Sequence, residues 1–209
     1  WTLMPQVMQD GVKPASPTGL DKAAFLWRRA PETSGPDAFY LLGPRPRADS
    51  GFFAVETKPW QPVFAPGDRL AFDVVVNATV DRQLDAGQGR KGRKRIDVVA
   101  DAMRAARQAG TSPRLHGIEK EQLAREALAA WLEGQGQRNG FSPVDVPDLL
   151  HQTVAMVGRR RTSAPKPGIA RLTGLLEVRE PEAFIARVAT GFGRSKAFGC
   201  GLMLLKRSG

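Results

Sequence analysis

Residues 181–207, PEAFIARVATGFGRSKAFGCGLMLLKR, switch apolar period within a few positions. Phe184, Ile185 and Val188 recur at helical spacing behind Pro181, and Gly191 stands where such a helix would end. The run GLMLLKR that follows suits a short buried strand. The chain is thus predicted to pass from helix to glycine-rich loop to strand. Gly191, Gly193, Gly199 and Gly201 surround Arg194, Ser195 and Lys196 in that loop. Glycine lets the backbone approach a ligand closely, and successive amides flanked by cations suit an anion, most obviously a phosphate. Mononucleotide loops follow a strand and open a helix, so that the helix N-terminus meets the phosphate. Here the polarity is reversed, and the spacing fits neither G-x-x-x-x-G-K-[ST] nor G-x-G-x-x-G. The phosphate in question then belongs to a polynucleotide.

The charge balance points the same way. Lys and Arg number 31 against 21 Asp and Glu, a formal net charge of +10. Such an excess attracts nucleic acid or an anionic membrane surface. No apolar run approaches the about 18 residues of a membrane span, and no basic amphipathic helix offers a peripheral membrane contact. A single cysteine, Cys200, excludes an internal disulfide and fits the cytoplasm. Flanked by glycines beside an apolar run, it reads as a small buried side chain. One Cys and two His cannot supply a structural zinc set, so neither metal nor cofactor is expected.

The remainder divides into halves of similar grammar. In the first, residues 23–30, 38–46, 51–60 and 68–80 read as strands separated by Pro- and Gly-containing turns. WTLMPQVM at the start has helix-like apolar intervals and reads as a chain entered partway through its first helix. The second half opens with IDVVADAMRAARQAG and a long amphipathic helix. In that helix Leu123, Ala127 and Trp131 form one row and Ala124, Leu128 and Leu132 the next. Two strands follow, LLHQTVAMVGRRR and GIARLTGLLEV, then the helix 181–190 and a last strand 201–206. Two small α+β modules result, each an antiparallel sheet backed by helices. Residues 81–96 lack apolar periodicity and read as a basic loop or linker between modules 1–80 and 97–209.

Basic residues cluster twice outside the glycine loop. Arg90, Lys91, Arg93, Lys94 and Arg95 lie in the linker-like stretch, where a solvated loop explains them equally well. Arg159, Arg160 and Arg161, with Lys166 behind them, occupy a turn between two predicted strands. Three consecutive arginines there repel one another unless an anion is present, and such a turn can track phosphates. Most aromatic residues fall inside apolar stretches, so recognition should rest on charge and backbone shape more than on stacked bases.

The ending GFGRSKAFGCGLMLL resembles the C-terminal glycine-rich signature of the CasE family, the CRISPR RNA-processing endoribonucleases of type I-E systems. WTLMP and FLWRR are similar to that family's first helix and following strand, VVVNATV to its Asn-containing strand, and GRKRIDVV to the basic stretch after it. AWLEGQGQRNGF resembles the family's helix end, so the likeness covers nearly the whole chain in order. It implies an α+β fold of two tandem ferredoxin-like, RRM-like modules with antiparallel sheets, the first module entered without its first strand. It also implies binding of the CRISPR repeat hairpin, cleavage at its 3′ base, and retention of the product within Cascade. The partners implied are the CRISPR RNA hairpin and the other Cascade subunits, with no membrane. On this reading Gly191, Gly193, Arg194, Ser195, Lys196, Arg159, Arg160, Arg161 and Lys166 contact RNA.

Cleavage by ribose 2′-OH attack needs a general base, a general acid and positive charge on the transition state, but no metal. Histidine suits the proton transfers, with an unperturbed pKa of about 6.5. The resemblance places the catalytic His about one turn before Trp1, which leaves no catalytic residue within residues 1–209. His116, at the entrance to the long helix, suits a surface or capping role. His151, alone in DLLHQTV, is of a kind that is more often structural. A metal-independent endoribonuclease and a non-cleaving RNA-hairpin cap of Cascade therefore both stay open, and the residue four or so positions before Trp1 discriminates them.

Two outcomes are expected from these residues. Replacing Arg159, Arg160 and Arg161 with alanine should weaken hairpin binding and flatten its salt dependence, by roughly 0.7–0.9 in log–log slope per lost phosphate contact. A filter-binding titration over a range of salt concentrations measures both. In the glycine loop, Gly193→Val should impair RNA binding more than thermal stability, provided that the loop faces solvent.

Overall fold

The computed structural model of the chain describes residues 25–30, 38–44, 54–83, 93–109, 117–153 and 168–208. Its centre is β3 (Arg69–Val76), where Leu70, Phe72, Val74 and Val76 alternate inward with Arg69, Ala71, Asp73 and Val75 on the opposite face. This strict period of two is the signature of a strand with one apolar face on a core. On one side β3 pairs antiparallel with β8 (Gly168–Val178), and on the other with β9 (Met203–Arg207). Along the far edge of β8 lie β6 (Phe141–Pro143) and then β7 (Asp148–Thr153), both antiparallel to it.

Helices complete a β-α-β-β-α-β chain. The helix α1 (Val98–Gln108) is capped by Asp97, whose Oδ1 accepts from the amides of Val99 and Ala100, both at 3.0 Å. The helix α2 (Gly117–Asn139) lays Ala124, Leu128, Trp131 and Leu132 on the sheet. After β8, α3 (Pro181–Thr190) starts on a proline and buries Phe184 and Val188. Strand order β9-β3-β8 with β6 and β7 outermost, together with this succession, is a ferredoxin-like unit spanning 69–207. Phe141 joins its layers: the Phe184 ring lies 5.3 Å from it, and Phe192 meets it edge-on at 5.8 Å. Each fully buried leucine here, such as Leu70, Leu172 or Leu176, contributes about 2 kcal/mol of transfer free energy.

The α+β class with antiparallel sheets is as the sequence predicts, but the pairing divides the chain elsewhere. Strand β3, expected to close the first module, opens the second, and the boundary expected at 81–96 falls inside the ferredoxin-like unit. Alternation identifies a strand without identifying its partners. The run 68–80 is also two strands, because pairing stops at Asn77 and resumes in β4 (Thr79–Gln83). Both ends of the linker-like stretch are ordered. Strand β4 pairs with β5 (Arg93–Asp97) as a separate ribbon, with Arg95 bound to Asp81 at 2.8 Å. Val80 and its partner Ile96 are the only apolar residues of this ribbon, too few to give a period to read. Residues 54–60, expected to belong to a strand over 51–60, pair with nothing in a sheet, and neither do 61–65 after them. Pro59 and Pro62 remove ladder donors there.

Of the first half, β1 (Leu26–Arg29) and β2 (Phe39–Leu42) form an antiparallel pair. One residue binds this pair to the sheet. Arg28, 3% exposed, donates from Nη1 to the Asp73 carbonyl at 2.7 Å and from Nη2 to Asp73 Oδ1 at 2.8 Å. Arg171 of β8 grips the same carboxylate from the other side, through Nε at 3.1 Å and Nη2 at 2.7 Å. Burial opposes ionisation of Asp73, but the bonds from Arg171 and Arg28 outweigh it and hold the carboxyl below its usual range.

Asp73→Ala should therefore destabilise the fold by about 3 kcal/mol, since it leaves Arg28 buried without its counter-charge. A carboxyl with a depressed folded pKa contributes stability above its unfolded pKa, and that contribution is lost as pH falls through the folded value. Urea unfolding between pH 6 and 3 should accordingly show wild-type stability dropping below about pH 4, and a shallower drop in Asp73→Asn.

Candidate nucleic-acid interface

The glycine loop begins where α3 ends. Gly191 caps the helix at φ 76°, its amide donating to the Arg187 carbonyl at 2.9 Å. Phe192 then plugs into the core, fully buried, and its amide donates to the Gly201 carbonyl at 2.9 Å. The Gly201 amide donates in turn to Val75 at the end of β3, at 2.7 Å. The loop is thus closed on itself and fastened to the central strand.

Its outer half is fastened to the same place. Asn77, only 6% exposed, accepts from the Arg194 amide through its main-chain oxygen at 3.1 Å. Its side-chain Nδ2 donates to Ser195 Oγ at 3.0 Å. Ser195 holds a left-handed backbone, φ 58°, without being glycine, and opens the 3-10 turn Lys196–Phe198. From β1, Trp27 Nε1 donates to the Ala197 carbonyl at 3.3 Å, and the Trp27 ring lies flat enough against Gly199 that a Cβ there would come within 3.2 Å of it. Facing outward are Arg194, Ala197 and Phe198, the last 58% exposed.

The residues singled out in the sequence fall in different places. Arg194 is exposed and makes no ion pair among the described residues. Ser195 lies beside it, its hydroxyl oriented by Asn77. Lys196 does not flank Arg194 on the open side. Its Nζ turns back and donates to the Thr190 carbonyl at the end of α3, and burial, then the charge of Arg187, lower its pKa. Gly191 is buried against Leu26 and is a cap, not a contact surface. Arg159, Arg160, Arg161, Lys166, Arg90, Lys91 and His116 lie outside the described residues, as does the side chain of His151, whose backbone in β7 is opposite Ala170. Cys200 is buried, which pushes its thiol up to about 11 and leaves it a packing group.

Three residues of this surface escaped the sequence reading: Asn77, Trp27 and Phe198. A polar residue interrupting VVVNATV was the available signal for the first. Nothing local marks Trp27 as a wall of a loop 170 residues away, or Phe198 as exposed. Among the described residues no group of three or more His, Cys, Asp or Glu comes together to hold a metal ion, and no helix is long and apolar enough to cross a membrane. The arrangement is a preformed, cationic, aromatic-tipped loop on a ferredoxin-like frame, suited to phosphate and base contact.

A family model described as CRISPR associated protein matches residues 3–207. Among solved structures, Thermus thermophilus Cse3 bound to an RNA representing a pre-cleavage complex is 23% identical, with a TM-score of 0.60 over 96% of this chain and 82% of that one. A structure of the CRISPR endoribonuclease Cse3 bound to a 19-nucleotide RNA gives 23% identity and a TM-score of 0.56, over 96% and 81%. Cas6e from Escherichia coli K-12 gives 18% identity and 0.54, over 88% and 84%. These likenesses show a shared fold, which extends the tandem ferredoxin-like architecture over nearly the full chain. Among curated proteins no sequence matches the chain at a significant level.

The packing reverses the expectation for Gly193. Its φ is +66°, and a Cβ would lie 2.7 Å from the Asn77 carbonyl oxygen, a backbone atom that cannot step aside. Gly193→Ala should therefore cost about 1–3 kcal/mol and lower the melting temperature by roughly 3–10 °C. Gly67→Ala is the control: φ is +90° there with no atom within 4 Å of the added Cβ, so only the backbone strain remains. Differential scanning calorimetry should rank Gly193→Ala below Gly67→Ala.

Proposed function

Because the chain belongs to the CRISPR-associated protein family, whose match spans residues 3–207, we propose that it binds the repeat hairpin of precursor CRISPR RNA and cleaves it at its 3′ base. The observation that carries this reading is the glycine loop. It is stitched to β3 by Asn77 and to β1 by Trp27, and it presents Arg194 and Phe198 outward with little left to order on binding. Support comes also from the excess of 10 positive charges and from the fold shared with Cse3 bound to RNA.

The reaction asks little of the protein beyond placement. A base takes the proton of the ribose 2′-OH, and O2′ bonds to the adjacent phosphorus in line. The bond to the next nucleotide's O5′ breaks, and an acid protonates that oxygen. Negative charge grows on the non-bridging oxygens, where a cation such as Arg194 stabilises it. The product hairpin stays on the protein as part of an RNA-guided surveillance complex, the kind of assembly in which another structural relative is found.

Cleavage of a repeat hairpin by the full-length protein should persist in excess EDTA and leave a 2′,3′-cyclic phosphate on the upstream fragment. Gel electrophoresis and mass spectrometry of the fragment ends report both. A magnesium requirement with a 3′-hydroxyl end would contradict the mechanism, and tight binding without any cut would favour the non-cleaving cap.

A further inference from the structure

Beside the loop, the last turn of α3 packs against the C-terminal part of α2, and the cations Arg187 and Arg138 come near each other there. Arg187 lies half-buried between the helices, its guanidinium 5.2 Å above the Phe192 ring and its Nη2 donating to Gln135 Oε1 of α2 at 3.0 Å. Its Nε is buried and has no acceptor. Arg138 folds back along α2, close enough that a Cβ on Gly134 would lie 3.5 Å from its Nη1. Lys196 reaches the end of α3 from the loop side. None of the three makes an ion pair among the described residues, although nine other ion pairs are formed elsewhere among them.

Helix ends attract cations, and the Thr190 carbonyl accounts for Lys196 in that way. It does not account for Arg187, which turns toward a side-chain amide and an aromatic ring, nor for an N–H donor left unsatisfied inside the protein. An orphaned buried donor is destabilising, and like charges packed together add to that. Arg187 feels this: burial first, and then the charge of Arg138, lower its pKa. Such a cluster is stabilised when an anion joins it.

We propose that Arg138, Arg187 and Lys196 form a second anion site, adjoining the glycine loop, that takes a backbone phosphate of the bound RNA. The inference rests on the hairpin-binding reading above and extends it. The RNA backbone continues from the exposed tip at Arg194 over the junction of α2 and α3. Lys196 serves both places, as a loop residue whose ammonium faces the cluster.

Hairpin affinity measured against salt concentration, with melting temperature of the RNA-free protein alongside, tests the site. Arg138→Gln is the primary variant because Arg138 is exposed and removing it leaves the core intact. It should weaken binding about 3- to 10-fold at 0.1 M salt and lower the log–log salt slope by roughly 0.7–0.9. Its melting temperature should stay level or rise, since a repelling charge has gone. Arg187→Gln should show the same loss of affinity and slope, and the double variant little more than one additional contact. Unchanged affinity and slope in Arg138→Gln and Arg187→Gln, with wild-type protein binding the hairpin, would overturn the site and leave the hairpin reading standing. Failure of wild-type protein to bind would instead strike the reading on which it rests. Inorganic phosphate gives the last arm: a rise in wild-type melting temperature that is lost in Arg138→Gln, with RNA binding unaffected, would make the cluster a free-anion site and reject the RNA assignment.

Discussion

A half-buried carboxylate on the central strand fixes how the β1–β2 pair sits on the sheet. Asp73 sits mid-strand on the face of the sheet that the helices leave uncovered, and two arginines from opposite directions close on it. Taking such a group out of water is expensive, and the ion pair gains little over an apolar contact of equal shape. Its importance lies in direction. An apolar patch would let β1 slide over the sheet, whereas a carboxylate bonded by Arg28 through both its side chain and its own main-chain oxygen admits one register. Once Arg28 is fixed, Trp27 and Leu26, the two residues before it, are placed against the glycine loop. The shape of the nucleic-acid surface descends from that pairing.

The loop itself shows how packing and binding use the same residues. Phe192 and Gly201 are core and sheet, and Gly191, Gly193 and Gly199 are close-approach positions against Leu26, Asn77 and Trp27. The glycines are there because neighbours leave no room, and the consequence is a rigid surface loop. Rigidity is what a binding loop of few contacts needs, because ordering entropy would otherwise consume much of the gain from one or two phosphate contacts.

Local chemistry was legible in the sequence where neighbours along the chain decide it. The helix at 181–190, its glycine cap and the strands at 168–178 and 69–76 follow from period and capping residues. The α+β class followed from their alternation. Partnership was not legible: β3 reads the same whether it closes one sheet or opens the next, and only tertiary hydrogen bonding settles that. The pairing of 79–83 with 93–97 was hidden because Val80 and Ile96 are the only apolar residues in these strands, too few to make a stripe. At the site, Arg194 and Ser195 could be found from the glycine spacing, whereas Asn77 and Trp27 act from 118 and 170 residues away. Lys196 was placed on the wrong side, since a flexible lysine near a helix end finds carbonyl oxygens that no linear pattern displays.

These long separations bear on how the protein comes into being. The last strand, β9, pairs with β3 across more than half of the chain, and the loop before it is tied to Asn77 and Trp27 over still greater distances. Closing such contacts takes up chain entropy before any contact repays it, so folding of this unit is slow and late. One edge of β3 is closed by residues 168–178, while the other stays unpaired until residues 203–207 reach it. The glycine loop takes its shape together with that later strand. A partly folded polypeptide therefore carries its excess positive charge before it has the loop shape on which the proposed hairpin selection depends.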